Sequence, residues 1–271
     1  MTADTALLVQ SALWAGQHAL PLFFVMLALL LLAVVACWRT ALRHTVVTGE
    51  GRIFPAFPVG RRIAAGMAIL LVGAGIFAGL AVLLGAGEEL VRADQALTDA
   101  VRVSVPGPAL RVFAALTRLG DTATLTGLCI AIALVLVASG RRGLAAGWVA
   151  AVAGNGLLNQ TLKLIFGRLR PSQPDGFALV QGFSFPSGHS SGSVVAYGML
   201  AYLALRLLPA RWHLPALLAA VALAFAVGAS RLFLRVHFAS DVIAGFASGT
   251  AWLAVCITGI ELSRWRHRRV A

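Results

Sequence analysis

Seven apolar runs divide this chain, at residues 19–38, 63–85, 122–139, 143–162, 190–205, 214–229 and 238–260. About 20 apolar residues, each rising about 1.5 Å, cross a hydrocarbon layer of ~30 Å, so each run predicts a membrane-spanning helix. The fifth and sixth are short by that rule, which places the charged residues beside them at the membrane border. Residues 88–120 follow another pattern: Leu90, Ala93 and Leu97 recur with helical period, Pro106-Gly107-Pro108 interrupts them, and Leu110, Phe113 and Leu116 resume it. This predicts two amphipathic helices lying along the membrane surface. Asp4 precedes the first run and no basic n-region or small-residue cleavage site accompanies it, so the run is expected to stay as an anchor. The expected fold is all-α, a polytopic membrane helical bundle. An N-terminal helix with its loop (1–62) is added to a six-helix core (63–262), and a basic tail (263–271) closes the chain.

Composition agrees. The chain has 271 residues, of which 59% are hydrophobic and 12% charged, with a mean hydropathy of +0.88, outside the range of ordinary soluble domains. A net charge of +12 would suggest nucleic acid in a soluble protein; here its distribution speaks of topology, and no nucleic-acid partner is expected. Arg39, Arg43, Arg52, Arg61, Arg62, Arg141, Arg142, Arg206, Arg211, Arg264, Arg266, Arg268 and Arg269 fall on alternate connections, joined there only by the acids Glu50 and Glu261. The other connections mix basic and acidic residues. The positive-inside rule makes the Arg-rich side cytoplasmic, with the N-terminus outside a bacterial-type plasma membrane and the C-terminus inside. Cys37, Cys129 and Cys256 lie within apolar runs without metal-ligand spacing and read as packing residues. Gly75 and Gly79 have the small-xxx-small spacing of close helix approach. Oligomeric state is not legible.

Three polar clusters stand between the runs, all on the side assigned as extracytoplasmic. In the first, Lys163 and Arg170-Pro171 are separated by two helical turns; a point charge and a planar fork on one face can clamp a phosphate dianion. In the second, Pro186-Ser187-Gly188-His189 opens a run. Ser187 can cap the helix there, Gly188 admits close backbone approach, and the free N–H groups can bind an anion beside His189. The third is Ser230-Arg231 with His237 and Asp241, the last two at i and i+4 on one helix face. A carboxylate on one ring nitrogen fixes the tautomer and leaves the other free to attack. Alone, each cluster also fits a cap, a snorkelling cation or an ion pair at a helix start. Their common side argues for one site.

Together these residues resemble the type 2 phosphatidic acid phosphatase superfamily, whose pattern is K-x6-R-P, P-S-G-H and S-R-x5-H-x3-D. The chain reproduces it without change, and the resemblance covers roughly residues 63–260. It implies a metal-independent membrane lipid phosphatase without cofactor. In it His237 is the nucleophile that becomes a phosphohistidine, and Asp241 orients it. His189 serves as acid and then base, while Lys163, Arg170, Arg231, Ser187 and the Gly188 N–H hold the phosphate. Expected partners are membrane lipids and a lipid phosphate substrate, such as phosphatidic acid, phosphatidylglycerol phosphate, undecaprenyl pyrophosphate or a lipid A phosphate. Arg168 and Arg235, extra cations near the motifs, are candidates for favouring a diphosphate. Two other classes share features: vanadium haloperoxidases use the same constellation but are soluble, and transporters place charges along a membrane pathway.

Overall fold

Every apolar run forms a helix in the computed structural model, which describes residues 3–43, 45–47, 53–55, 59–171 and 182–270. The runs correspond to α2 (Ala19–Leu42), α3 (Val59–Ala86), α6 (Thr122–Ala138), α7 (Arg142–Phe166), α8 (Gly188–Leu207), α9 (His213–Phe233) and α10 (Ala239–Val270). Four described segments are each long and apolar enough to cross a membrane alone: Ala19–Leu42, Gly60–Ala86, Ala210–Phe233 and Ala239–Arg266. A fifth candidate is a broken span, Gly107–Gly120 with Thr122–Ala138, bent by 43°. The protein is thus a helical membrane protein. The amphipathic region forms α4 (Glu89–Ser104) and α5 (Gly107–Thr117), parted at Pro106, which cannot donate a backbone hydrogen bond.

A further helix and a pair of short strands were not anticipated. Helix α1 (Ala3–Gln17) lies against α4, where Gly16 approaches Leu97 and Ala100 so closely that a Cβ would stand 2.5 Å from the Ala100 Cβ. In the loop after α2, strands β1 (Thr45–Val47) and β2 (Ile53–Pro55) pair antiparallel.

Helices α7 to α10 carry the tight packing. Trp148, fully buried, donates its indole N–H to the Cys129 carbonyl at 2.9 Å and packs with Val195 and Met199. Helices α2 and α3 instead expose Leu29, Leu32, Leu71 and Val72, as expected of side chains facing hydrocarbon tails. The first span is nonetheless docked: Phe23 meets Phe113, Phe225 and Phe233 at ring separations of 5.3–5.8 Å, contacts each worth about 0.5–1.5 kcal/mol. Gly75 and Gly79 have open space around them, so the expected close approach does not occur there. Gly66 and Gly73 make it instead, against Thr258, Ala247 and Ala251 of α10.

Glu261 gathers Arg206, Tyr202 and Arg62 at one end of the bundle. The starts of α8 and α10 lie at the other end.

Candidate active site

The three clusters converge where α7 ends and α8 and α10 begin. Helix α7 stops at Gly167, which takes a left-handed C-cap (φ 56°) and returns its N–H to the Lys163 carbonyl. The chain then passes Arg168 and Arg170, and residues 172–181 lie outside the described residues. It re-enters as a segment fastened along its length. The Phe183 carbonyl accepts from Lys163 Nζ at 2.5 Å and Arg170 Nη2 at 3.1 Å, and the Ser184 N–H donates to the Arg168 carbonyl at 2.7 Å. The Ser187 N–H donates to the Asp241 carbonyl at 3.0 Å. Ser187 is the N-cap of α8; its hydroxyl accepts from the Ser190 N–H at 3.3 Å and the Ser190 hydroxyl at 2.9 Å. Gly245 permits this junction, because a Cβ there would stand 2.6 Å from the Ser187 carbonyl.

His237 sits on the short α9–α10 connection and is almost wholly buried. Its Nδ1 faces Asp241 Oδ2 at 3.4 Å, and its Nε2 lies 3.0 Å from Arg170 Nη1. A guanidinium only donates, so Nε2 must carry a lone pair and Nδ1 the hydrogen. That tautomer suits nucleophilic attack. Burial depresses the imidazole to about 3; Asp241 opposes the shift, while Arg170 and Arg231 deepen it. Asp241 is itself held by the Ser184 hydroxyl, the Phe238 N–H at 2.9 Å and Arg168 Nη1 at 2.6 Å.

Arg168 differs from its expected role. It is not an extra cation facing substrate, because it bridges Asp241 and Asp94, donating to Asp94 Oδ2 at 2.8 Å and the Ser240 hydroxyl at 2.7 Å. Two carboxylates already neutralise it. Asp94 also takes the Ser240 N–H at 3.1 Å, which latches α4 onto the start of α10; burial raises its carboxyl above the ordinary value. Arg235 occupies the turn after α9 with φ 56°. Arg231 is buried, donates to Thr117 Oγ1 at 2.6 Å, and leaves its Nε without a partner. His189, on the first turn of α8, places Nε2 2.8 Å from Asp121 Oδ1. Asn155 and Asn159 both reach the Ser191 hydroxyl, at 3.4 and 3.2 Å.

Ser184, Asp94, Thr117 and Asp121 escaped the sequence reading. Their partners stand 57 to 146 positions away, and no local spacing announces such pairs.

Known proteins place this arrangement. The sequence profile of the PAP2 superfamily matches residues 144–265, which enclose all three motifs. A lipid A 1-phosphatase of Rhizobium johnstonii is 33% identical over 186 residues, spanning 59% of this chain and 70% of that protein. The chain belongs to the PAP2 superfamily. Phosphatidylglycerophosphatase B of Bacillus subtilis is 40% identical over 97 residues, 34% of this chain; the match spans only 46% of that relative's length. Among solved structures, a transmembrane PAP2 type phosphatidylglycerolphosphate phosphatase from Bacillus subtilis superposes with a TM-score of 0.60 at 26% identity, covering 69% of this chain and 94% of that one. Asp94, Thr117 and Asp121 precede the residues matched to the PAP2 profile.

Proposed function

We propose that this PAP2 protein is an integral-membrane lipid phosphatase working through a phosphohistidine at His237, on the extracytoplasmic face. The observation that carries the reading is the guanidinium of Arg170 lying 3.0 Å from His237 Nε2, with a carboxylate on the opposite ring nitrogen. A phosphate gripped by that guanidinium lies against a nitrogen lone pair of fixed direction. Lys163 and Arg231, whose buried Nε–H has no protein partner, supply further positive charge, and the Ser187–Gly188 helix start supplies amide N–H groups. His189 protonates the departing oxygen and then activates water.

The substrate is a lipid phosphate monoester or pyrophosphate. The relatives' names favour phosphatidylglycerol phosphate or a lipid A phosphate over phosphatidic acid or undecaprenyl pyrophosphate. The extracytoplasmic assignment rests on arginine distribution: Arg62 and Arg206 lie at the end of the bundle opposite His237. With three protein cations around the phosphate, activity is expected to withstand EDTA. The test is phosphate release by purified protein from a panel of lipid phosphates, with His237→Ala as the blank. Release that persists in the variant would remove His237 as nucleophile.

A further inference from the structure

The turn joining α5 to α6 belongs to none of the three motifs, yet it presses on both halves of the site. Thr117 accepts from Arg231 at 2.6 Å, and the Leu119 carbonyl accepts the Tyr197 hydroxyl at 2.8 Å. Gly120 admits no side chain: a Cβ would stand 2.4 Å from Val227 and 3.0 Å from the His189 ring. Asp121 follows as the N-cap of α6. An aspartate there ordinarily accepts from the free N–H groups of the first turn. This one makes no such bond, and its carboxylate turns to His189 Nε2 at 2.8 Å.

We propose that Asp121 is the positioning residue of the acid–base histidine, keeping His189 Nε2–H on its carboxylate and directing Nδ1 at the leaving oxygen. The assignment rests on the phosphatase reading above. A carboxylate accepts only, so Nε2 carries hydrogen throughout, and the protonated ring carries a second hydrogen on Nδ1. As His237 Nε2 forms the N–P bond, the P–O bond to the lipid breaks and its electron pair passes to the alkoxide oxygen. The Nδ1 proton moves onto that oxygen, leaving His189 neutral and still bonded to Asp121. Water then gives a proton to Nδ1 while its oxygen attacks phosphorus and the N–P bond breaks. Inorganic phosphate departs and both histidines return to their starting states. The Asp121 carboxylate holds the ring plane and stabilises the imidazolium before each proton delivery.

A contact that merely supported the fold would affect every substrate alike; a contact that aims a proton matters in proportion to the leaving group's need for one. The experiment compares kcat/KM for wild type, Asp121→Asn and Asp121→Ala on phosphatidic acid and on p-nitrophenyl phosphate. The alkoxide of the first requires a proton, whereas the nitrophenolate of the second departs without one, and kcat/KM reports the steps through phosphoenzyme formation. D121A is expected to lose roughly 100-fold on the lipid, the lower end of what general acid catalysis supplies, with little change on the aryl ester. D121N, which keeps an accepting oxygen without the charge, falls between. An equal loss on both esters, or none on the lipid, overturns the assignment. H237A is run alongside: wild-type turnover that H237A lacks keeps the phosphatase reading intact whatever Asp121 does, and wild type inert on both esters removes both.

Discussion

Two histidine–aspartate pairs face this site, and they are wired in opposite senses. Asp241 lies one helical turn beyond His237 and addresses Nδ1; the ring is sealed from solvent, and its carboxylate is held by Ser184, the Phe238 amide and Arg168. Asp121 comes from 68 positions away and addresses Nε2, and its carboxylate is half exposed. Under the proposed mechanism, the contrast follows from what each ring would do. A nucleophile needs one unchanging lone pair, and rigid, redundant support preserves it. An acid–base group changes its proton load twice per turnover, which suits a partner at the edge of the water.

That asymmetry can be attacked from several directions. His237→Ala should abolish lipid dephosphorylation, and Asp241→Asn should lower kcat by about 10³–10⁴-fold by permitting the wrong tautomer; phosphate release measures both. Arg168→Gln leaves two buried carboxylates without their shared cation. It should cost about 3–5 kcal/mol of stability, read as a lower melting temperature in detergent, together with a fall in kcat, because Asp241 loses a support. Gly245→Ala forces a Cβ toward the Ser187 carbonyl. Overpacking of this kind costs about 1–3 kcal/mol, and if melting and turnover are both untouched, the α8–α10 contact is not as close as described.

A further prediction concerns pH. The folded protein holds His237 at about 3, below the 6.5 of an unperturbed imidazole. Protonation therefore favours the unfolded chain: stability is fully present above pH 6.5 and declines as pH falls toward 3. In His237→Gln this part of the acid sensitivity should vanish, flattening melting temperature against pH across that window.

The same contrast explains what could be read from sequence. His237 and Asp241 announce themselves because helical geometry makes i and i+4 neighbours. The apolar runs announce α2, α3 and α6 to α10 because a membrane demands continuous apolar length. Asp121 belongs to no motif spacing, and Arg168 reads as a cation for substrate, since only tertiary structure brings Asp94 and Asp241 to it. Gly75 and Gly79 show the converse failure: a spacing that permits close approach does not say which face of α3 meets α10, and Gly66 and Gly73 do the meeting.

Gly245 and Gly249 set main chain against main chain, the former beside the Ser187 carbonyl and the latter beside the Ser191 backbone. The gap between the anion-greeting amides of one helix and the carboxylate on the other is therefore a fixed jaw, with no long side chain that could stretch or fold to adjust it. Under the proposed function, lipids of different size would all present the same small phosphoryl group to that jaw. Discrimination among them would then fall to the rim and to the hydrocarbon-facing flanks, where variation leaves the bite unaltered.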